Sequence, residues 1–209
     1  MPRALSDLVA RDRTAVLTME IQRAVVGDHS AFPELAQAAA DVGVVPNTAR
    51  ILDRARALGI PVIHCLAEFR SDRKGTVVNT SLIAAMLRNP EHMLVGSPAA
   101  ELVPELGPEP GDLVSTRVHG VSPFIGTSLD PWLRNLDVRT VVATGVSVNL
   151  GVLGLVIEAV NFGYQVVVPR DAVAGVPAAY AEAVLDNTFP LVTTLTTTDD
   201  LLGAWPTQE

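Results

Sequence analysis

The chain has 209 residues, 48% of them hydrophobic and 18% charged, so a substantial core can be buried. A formal net charge of −8 with no Lys/Arg cluster argues against a nucleic-acid-binding face, although local positive pockets for a small anion remain open. The lone cysteine, Cys65, excludes an intrachain disulfide, and no apolar run reaches the roughly 18 residues of a membrane span.

Residues 1–13 mix charges of both signs without an apolar stretch, which is not the pattern of a signal peptide; a cytoplasmic location is the expectation. Residues 14–21 read as a first strand. Residues 34–58 form a helical region, with Ile51, Leu52, Ala55 and Leu58 at helical spacing and a break or restart at Pro46. Gly59 supplies a stop and Pro61 forbids resumption. A second strand occupies 61–66. The segment 67–98 is the least regular, with a short helix over 81–87, and the group Arg70, Arg73, Lys74 reads as a solvated loop.

The Pro- and Gly-rich stretch 104–112 leads into a strand over 113–116. A short helix over 130–136, a strand over 140–144, a helix over 149–162 and a strand over 165–169 follow. The chain closes with a helix over 177–188, a strand over 191–196 and a helix over 198–205. This alternation predicts an α/β protein, with helices on both faces of a mainly parallel sheet. No repeat or low-complexity linker interrupts it, so residues 1–209 read as one domain. Ligands of such sheets bind beyond the carboxyl ends of the strands. That rule selects residues 20–22, the stretch after Cys65, residues 117–127 and residues 145–151.

These segments carry a resemblance. Met19-Glu20-Ile21-Gln22 is similar to the Asp-Met-Gln that ends the first strand of the isochorismatase-like (cysteine hydrolase) family, with Glu20 in place of the aspartate. Ser122-Pro123-Phe124-Ile125-Gly126-Thr127-Ser128-Leu129 resembles the family's Ser-x-Phe-x-Gly-Thr-x-Leu segment. The lysine before it falls on Val118 by strict count and on Arg117 with one residue inserted; the chemistry favours Arg117. Thr144-Gly145-Val146 resembles the turn that leads to the family's cysteine, whose place is taken by Gly151. Downstream, Ala159, Gly163-Tyr164 and Asp171-Ala172 complete the pattern, which spans about 13–205.

The resemblance implies a three-layer α/β/α sandwich with a parallel six-stranded sheet, a homo-oligomer, and a non-proline cis peptide at Val146–Ser147. In usual members the aspartate activates the cysteine, the lysine assists, and backbone N–H groups near the cysteine form an oxyanion hole. Glycine offers no thiolate, so that route is closed here. True isochorismatases resemble this chain in having glycine at that place, and their vinyl ether hydrolysis needs a proton donor but no nucleophile. Glu20 would serve as donor if burial kept it protonated.

The implied catalytic set is Glu20, Arg117 and the vacated position Gly151; the implied substrate contacts are Gln22, His119, Phe124, Val146, Ser147 and Leu150. Each has a plainer reading. Glu20 and Arg117 would form a structural ion pair, His119 would be an ordinary surface or core histidine, Gln22 would bond within its turn, and Asn149 would cap a helix. Cys65 reads as a small buried hydrophobe. His29, His64 and His92 lack metal-ligand spacing, so neither metal nor other cofactor is expected. The leading expectation is hydrolysis of a small anionic metabolite, isochorismate or a related vinyl ether, without a thiol. A silent family member that binds a metabolite or partner protein is the first alternative; amide hydrolysis by water is the second.

Overall fold

The computed structural model describes residues 4–205; the ends of the expected 1–209 unit, residues 1–3 and 206–209, lie outside the described residues. In chain order the elements are α1 (Leu5–Leu8), β1 (Thr14–Met19), α2 (Pro33–Val42), α3 (Val44–Ala57), β2 (Val62–Ala67), α4 (Ser81–Met86), β3 (Leu113–Arg117) and α5 (Leu129–Asn135). The second half comprises β4 (Thr140–Val146), α6 (Gly151–Asn161), β5 (Gln165–Pro169), β6 (Val173–Ala174), α7 (Ala178–Asn187), α8 (Phe189–Val192), β7 (Thr194–Thr196) and α9 (Thr198–Ala204).

The strands pair in the order β3-β2-β1-β4-β5-β7, all parallel, with β6 beside the end of β4. Alternate residues of the central strands feed two cores, as the period-2 geometry of a strand requires. Val16, Val62 and Val142 face Ile51, Leu52 and Ala55 of α3 and Leu201 of α9. Leu17, Ile63, Cys65 and Val141 face Leu155 and Val156 of α6 and Leu185 of α7. Helices therefore cover both faces of the sheet, and β1, β2 and β4 are buried along their whole length.

The sheet has seven strands among the described residues, not six. The extra one, β6, is only two residues long and pairs with Gly145 and Val146. It is too short to stand out as an apolar run. The helical break expected at Pro46 falls instead at Gly43, whose left-handed φ of 82° closes α2. Pro46 sits in the first turn of α3, where a missing N–H leaves no helical bond unmade. The last strand begins at Thr194 rather than 191, because Phe189–Val192 turns as α8. Helix α6 begins at Gly151, and Asn149 does not cap it: its Nδ2 donates to the Val176 carbonyl at 3.1 Å.

One buried polar chain ties α3 to the sheet. The carboxylate of Asp112 can only accept, so His64 Nε2 donates to it at 3.2 Å, leaving Nδ1 to accept from the Thr18 hydroxyl at 2.9 Å. Arg56 of α3 donates to the same carboxylate at 2.6 Å, and the Glu109 N–H at 2.9 Å. Burial pulls His64 below its ordinary value of 6.5, with Asp112 offsetting only part of that and Arg56 adding to it. Burial alone would raise Asp112, but Arg56, the Glu109 N–H and His64 outweigh it and hold the carboxyl below 3.8.

The sign of the pH effect follows. Folded His64 binds its proton less readily than the unfolded chain does, so its contribution to stability is complete above pH 6.5 and shrinks as pH falls below it. Urea melts from about pH 8 to about pH 5.5 should show a falling midpoint. His64→Asn should lose about 2–4 kcal/mol at neutral pH and depend less on pH over that range.

Candidate active site

The carboxyl ends of β1, β2, β3 and β4 meet at one edge of the sheet. Met19 lies in register with both Cys65 and Gly145, and Ala67 with Arg117. Glu20, the first residue past β1, has a φ of 50° and donates its N–H to the Cys65 carbonyl at 3.0 Å. This left-handed step turns the carboxylate out of the strand and toward Arg117.

Arg117 ends β3. Its Nη2 donates to Glu20 Oε1, and its Nε donates to the Gly120 carbonyl at 3.2 Å. The pair is well shielded, the arginine side chain being 4% exposed and the glutamate 18%. A buried charge without its partner would cost several kcal/mol, so each residue holds the other in place. Arg117 Nη1 is buried with no hydrogen-bond partner.

On the far side lies the turn after β4. The Val146–Ser147 peptide bond is cis, where the resemblance implies it. The N–H of Val148 is bound by the Ala174 carbonyl at 2.8 Å, which links the turn to β6. Gly151 opens α6. A Cβ built there would lie 2.9 Å from Met19 Cε and 3.0 Å from the Val146 carbonyl oxygen. The side chain of Met19 thus occupies the space that a nucleophile at this position would need.

Between these elements is a cavity of about 460 Å³, lined by Glu20, Arg117, His119, Ser147, Leu150 and Gly151 among others. Five of the expected site residues other than Gly151 therefore share one space with it. The remaining three do not. Gln22 is buried, with Nε2 donating to the Ala67 and Ala100 carbonyls at 2.9 and 2.7 Å and Oε1 accepting from the Ala67 N–H. Its amide is consumed in holding the turn. Phe124 is core, stacked on Phe162 with ring centroids 5.4 Å apart. Val146 packs into the core on the α3 side.

The sequence reading missed the apolar wall. Phe32 and Leu35 at the start of α2, Phe69 after β2, and Ile83 and Met86 of α4 all line the cavity. The signal was present, since Leu82, Ile83 and Met86 recur at helical spacing, but nothing local told where that short helix would dock. The segment that leads into α4 is tied to the loop after β3. Thr76 Oγ1 donates to the Val118 carbonyl at 2.7 Å, and the Val77 N–H donates to His119 Nδ1 at 3.3 Å. Asn149 also lines the cavity. Cys65 lies beneath the floor, fully buried, and burial pushes its thiol up to about 12. Among the described residues, no group of three or more His, Cys, Asp or Glu is placed to hold a metal ion, and no helix is long and apolar enough to cross a membrane.

The family model for the isochorismatase domain matches residues 14–200. An uncharacterized isochorismatase family protein of Bacillus subtilis (strain 168) is 36% identical over 103 residues, 49% of this chain and 54% of that protein. The chain therefore aligns with only about half the length of this relative. A ureidoacrylate amidohydrolase of Pantoea ananatis is 29% identical over 173 residues, 77% of this chain and 68% of its own. Among solved structures, a cysteine hydrolase from Pseudomonas syringae pv. phaseolicola 1448A superposes with a TM-score of 0.80 at 24% identity, covering 94% of each chain.

The crowding at position 151 sets an expectation. Gly151→Cys should destabilise the protein by about 1–3 kcal/mol, and Met19→Ala in the same chain should remove part of that collision while opening a cavity of its own. Thermal melts of both single variants and the double variant would reveal the coupling; strict additivity would show that Met19 does not fill this space.

Proposed function

The chain belongs to the isochorismatase family, and from that premise we propose that it is a hydrolase of small molecules in which water, not a protein side chain, is the attacking nucleophile. The observation that carries this reading is the Glu20–Arg117 pair on one wall of the cavity, opposite a residue with no side chain. A carboxylate hydrogen-bonded to a guanidinium is arranged to accept a proton, which is the task of a general base toward water. In this mechanism Glu20 takes a proton from water as its oxygen adds to the substrate carbonyl. The carboxyl so formed returns the proton to the leaving group. Arg117 keeps Glu20 in place, and the turn at 147–151 forms the opposite wall.

This assignment favours a carbonyl substrate, an amide or carbamoyl compound, over a vinyl ether. Vinyl ether cleavage begins with protonation of carbon and asks for a resident acid, whereas the ion pair presents an acceptor. The printed activity of the Pantoea relative, ureidoacrylate amidohydrolase, supports the same direction. Cys65 takes no part, because its sulfur is buried in the core and its thiol is held protonated.

Ammonia release from a panel of neutral amides and carbamoyl compounds tests the proposal. Glu20→Gln, which keeps a hydrogen-bonding amide toward Arg117, should lower kcat/KM by about 10²-fold or more. Cys65→Ala should leave it within a few-fold, and intact-mass measurement during turnover should show no covalent adduct. Pyruvate release from isochorismate, with no amide turned over, would overturn the carbonyl assignment. An acyl adduct on any side chain would overturn the water mechanism.

A further inference from the structure

The charges that line the cavity do not suit an anion. Its ionisable side chains are Glu20, Glu34, Arg117 and His119. The one guanidinium already donates to Glu20 and to the Gly120 carbonyl. A carboxylate placed beside Arg117 would therefore also stand beside Glu20, and two carboxylates at that separation repel one another. A neutral carbonyl oxygen accepts hydrogen bonds and brings no second negative charge to that wall.

The remaining walls are hydrocarbon. Val25, Phe32, Leu35, Phe69, Ile83 and Met86 surround the part of the cavity away from the ion pair. The volume, about 460 Å³, is about three times the ~150 Å³ that encloses a benzene ring. It sits within the usual range for small-molecule sites. A ligand no larger than acetamide would leave most of that apolar surface uncovered.

We infer that the cavity, read as the hydrolase site above, selects an electrically neutral carbonyl compound with an apolar body, an aryl or medium-chain group, and rejects the carboxylate of the same shape. The apolar body lies against α4 and the start of α2, and the carbonyl faces Arg117. The preference also gives the reaction a direction. Hydrolysis of a neutral amide yields a carboxylate, the species that Glu20 repels.

Binding can be separated from turnover with ligands that cannot be hydrolysed. Isothermal titration calorimetry would compare 4-phenylbutan-2-one, its anionic isostere 3-phenylpropanoate, and acetone. The ketone should bind the wild-type protein at least about tenfold tighter than either of the others. In Glu20→Gln, where Arg117 is no longer neutralised, 3-phenylpropanoate should gain at least about tenfold. Met86→Ser should shrink the advantage of the ketone over acetone, with circular dichroism confirming the fold. Equal or tighter binding of 3-phenylpropanoate to the wild type overturns the inference, as does a ketone no tighter than acetone. The wild-type comparison decides even if a variant fails to fold. The expected preference without turnover of any neutral amide would leave the selectivity standing and sink the hydrolase assignment instead.

Discussion

Met19 and Gly145 lie side by side on adjacent parallel strands, and no side chain can come between them. A Cβ on residue 145 would sit 2.1 Å from the Met19 carbonyl oxygen, and the backbone there has a φ of 106°, so glycine meets both a steric and a conformational demand. This close approach lets β1 and β4 end together in register, with Glu20 at the tip of one and the cis turn at the tip of the other. Met19 then serves twice. Its backbone fits against Gly145, and its side chain reaches the space above Gly151.

Two charge networks draw on residues a few positions apart in the chain and do different work. Thr18, His64, Asp112 and Arg56 form a closed chain in which each buried polar group has a partner, and it fastens α3 to the sheet. Two residues beyond Thr18, just past the end of β1, Glu20 pairs with Arg117, which leaves one buried donor unmatched. A fully satisfied network stabilises a fold, whereas Arg117 Nη1 stays buried and unmatched beside the cavity. The contrast separates scaffold from cavity wall along a short stretch of chain.

Much of this was legible in the residues. Short β-branched apolar runs located the five longer strands, and the rule that ligands bind beyond carboxyl ends picked out the segments holding Glu20, Arg117, Ser147 and Gly151 before any distance was known. The failures have physical causes. Strand β6 carries too few residues for a period to register. Phe124 and Val146 belong to motifs around the cavity, but their side chains point into the core, and motif membership does not encode side-chain direction. Gln22 holds its turn through bonds to Ala67 and Ala100, partners far away in sequence. The apolar wall escaped because α4 lies in the least regular segment, where docking is decided by tertiary contacts such as Thr76 to Val118. The residues left Arg117 open between binding an anion and neutralising Glu20; the structure pairs it with Glu20.

The crowding around Gly151 bears on how this chain can change over generations. With Met19 folded over it and the Val146 carbonyl behind it, position 151 resists drift, since even alanine meets atoms at 2.9 and 3.0 Å and the flexible end of Met19 must give way. A larger residue at 151 is eased by a change at residue 19, a change that by itself leaves a hole in the core. Each residue makes the other harder to replace. A glycine accommodated in this way is held by its neighbour as by an evolutionary ratchet.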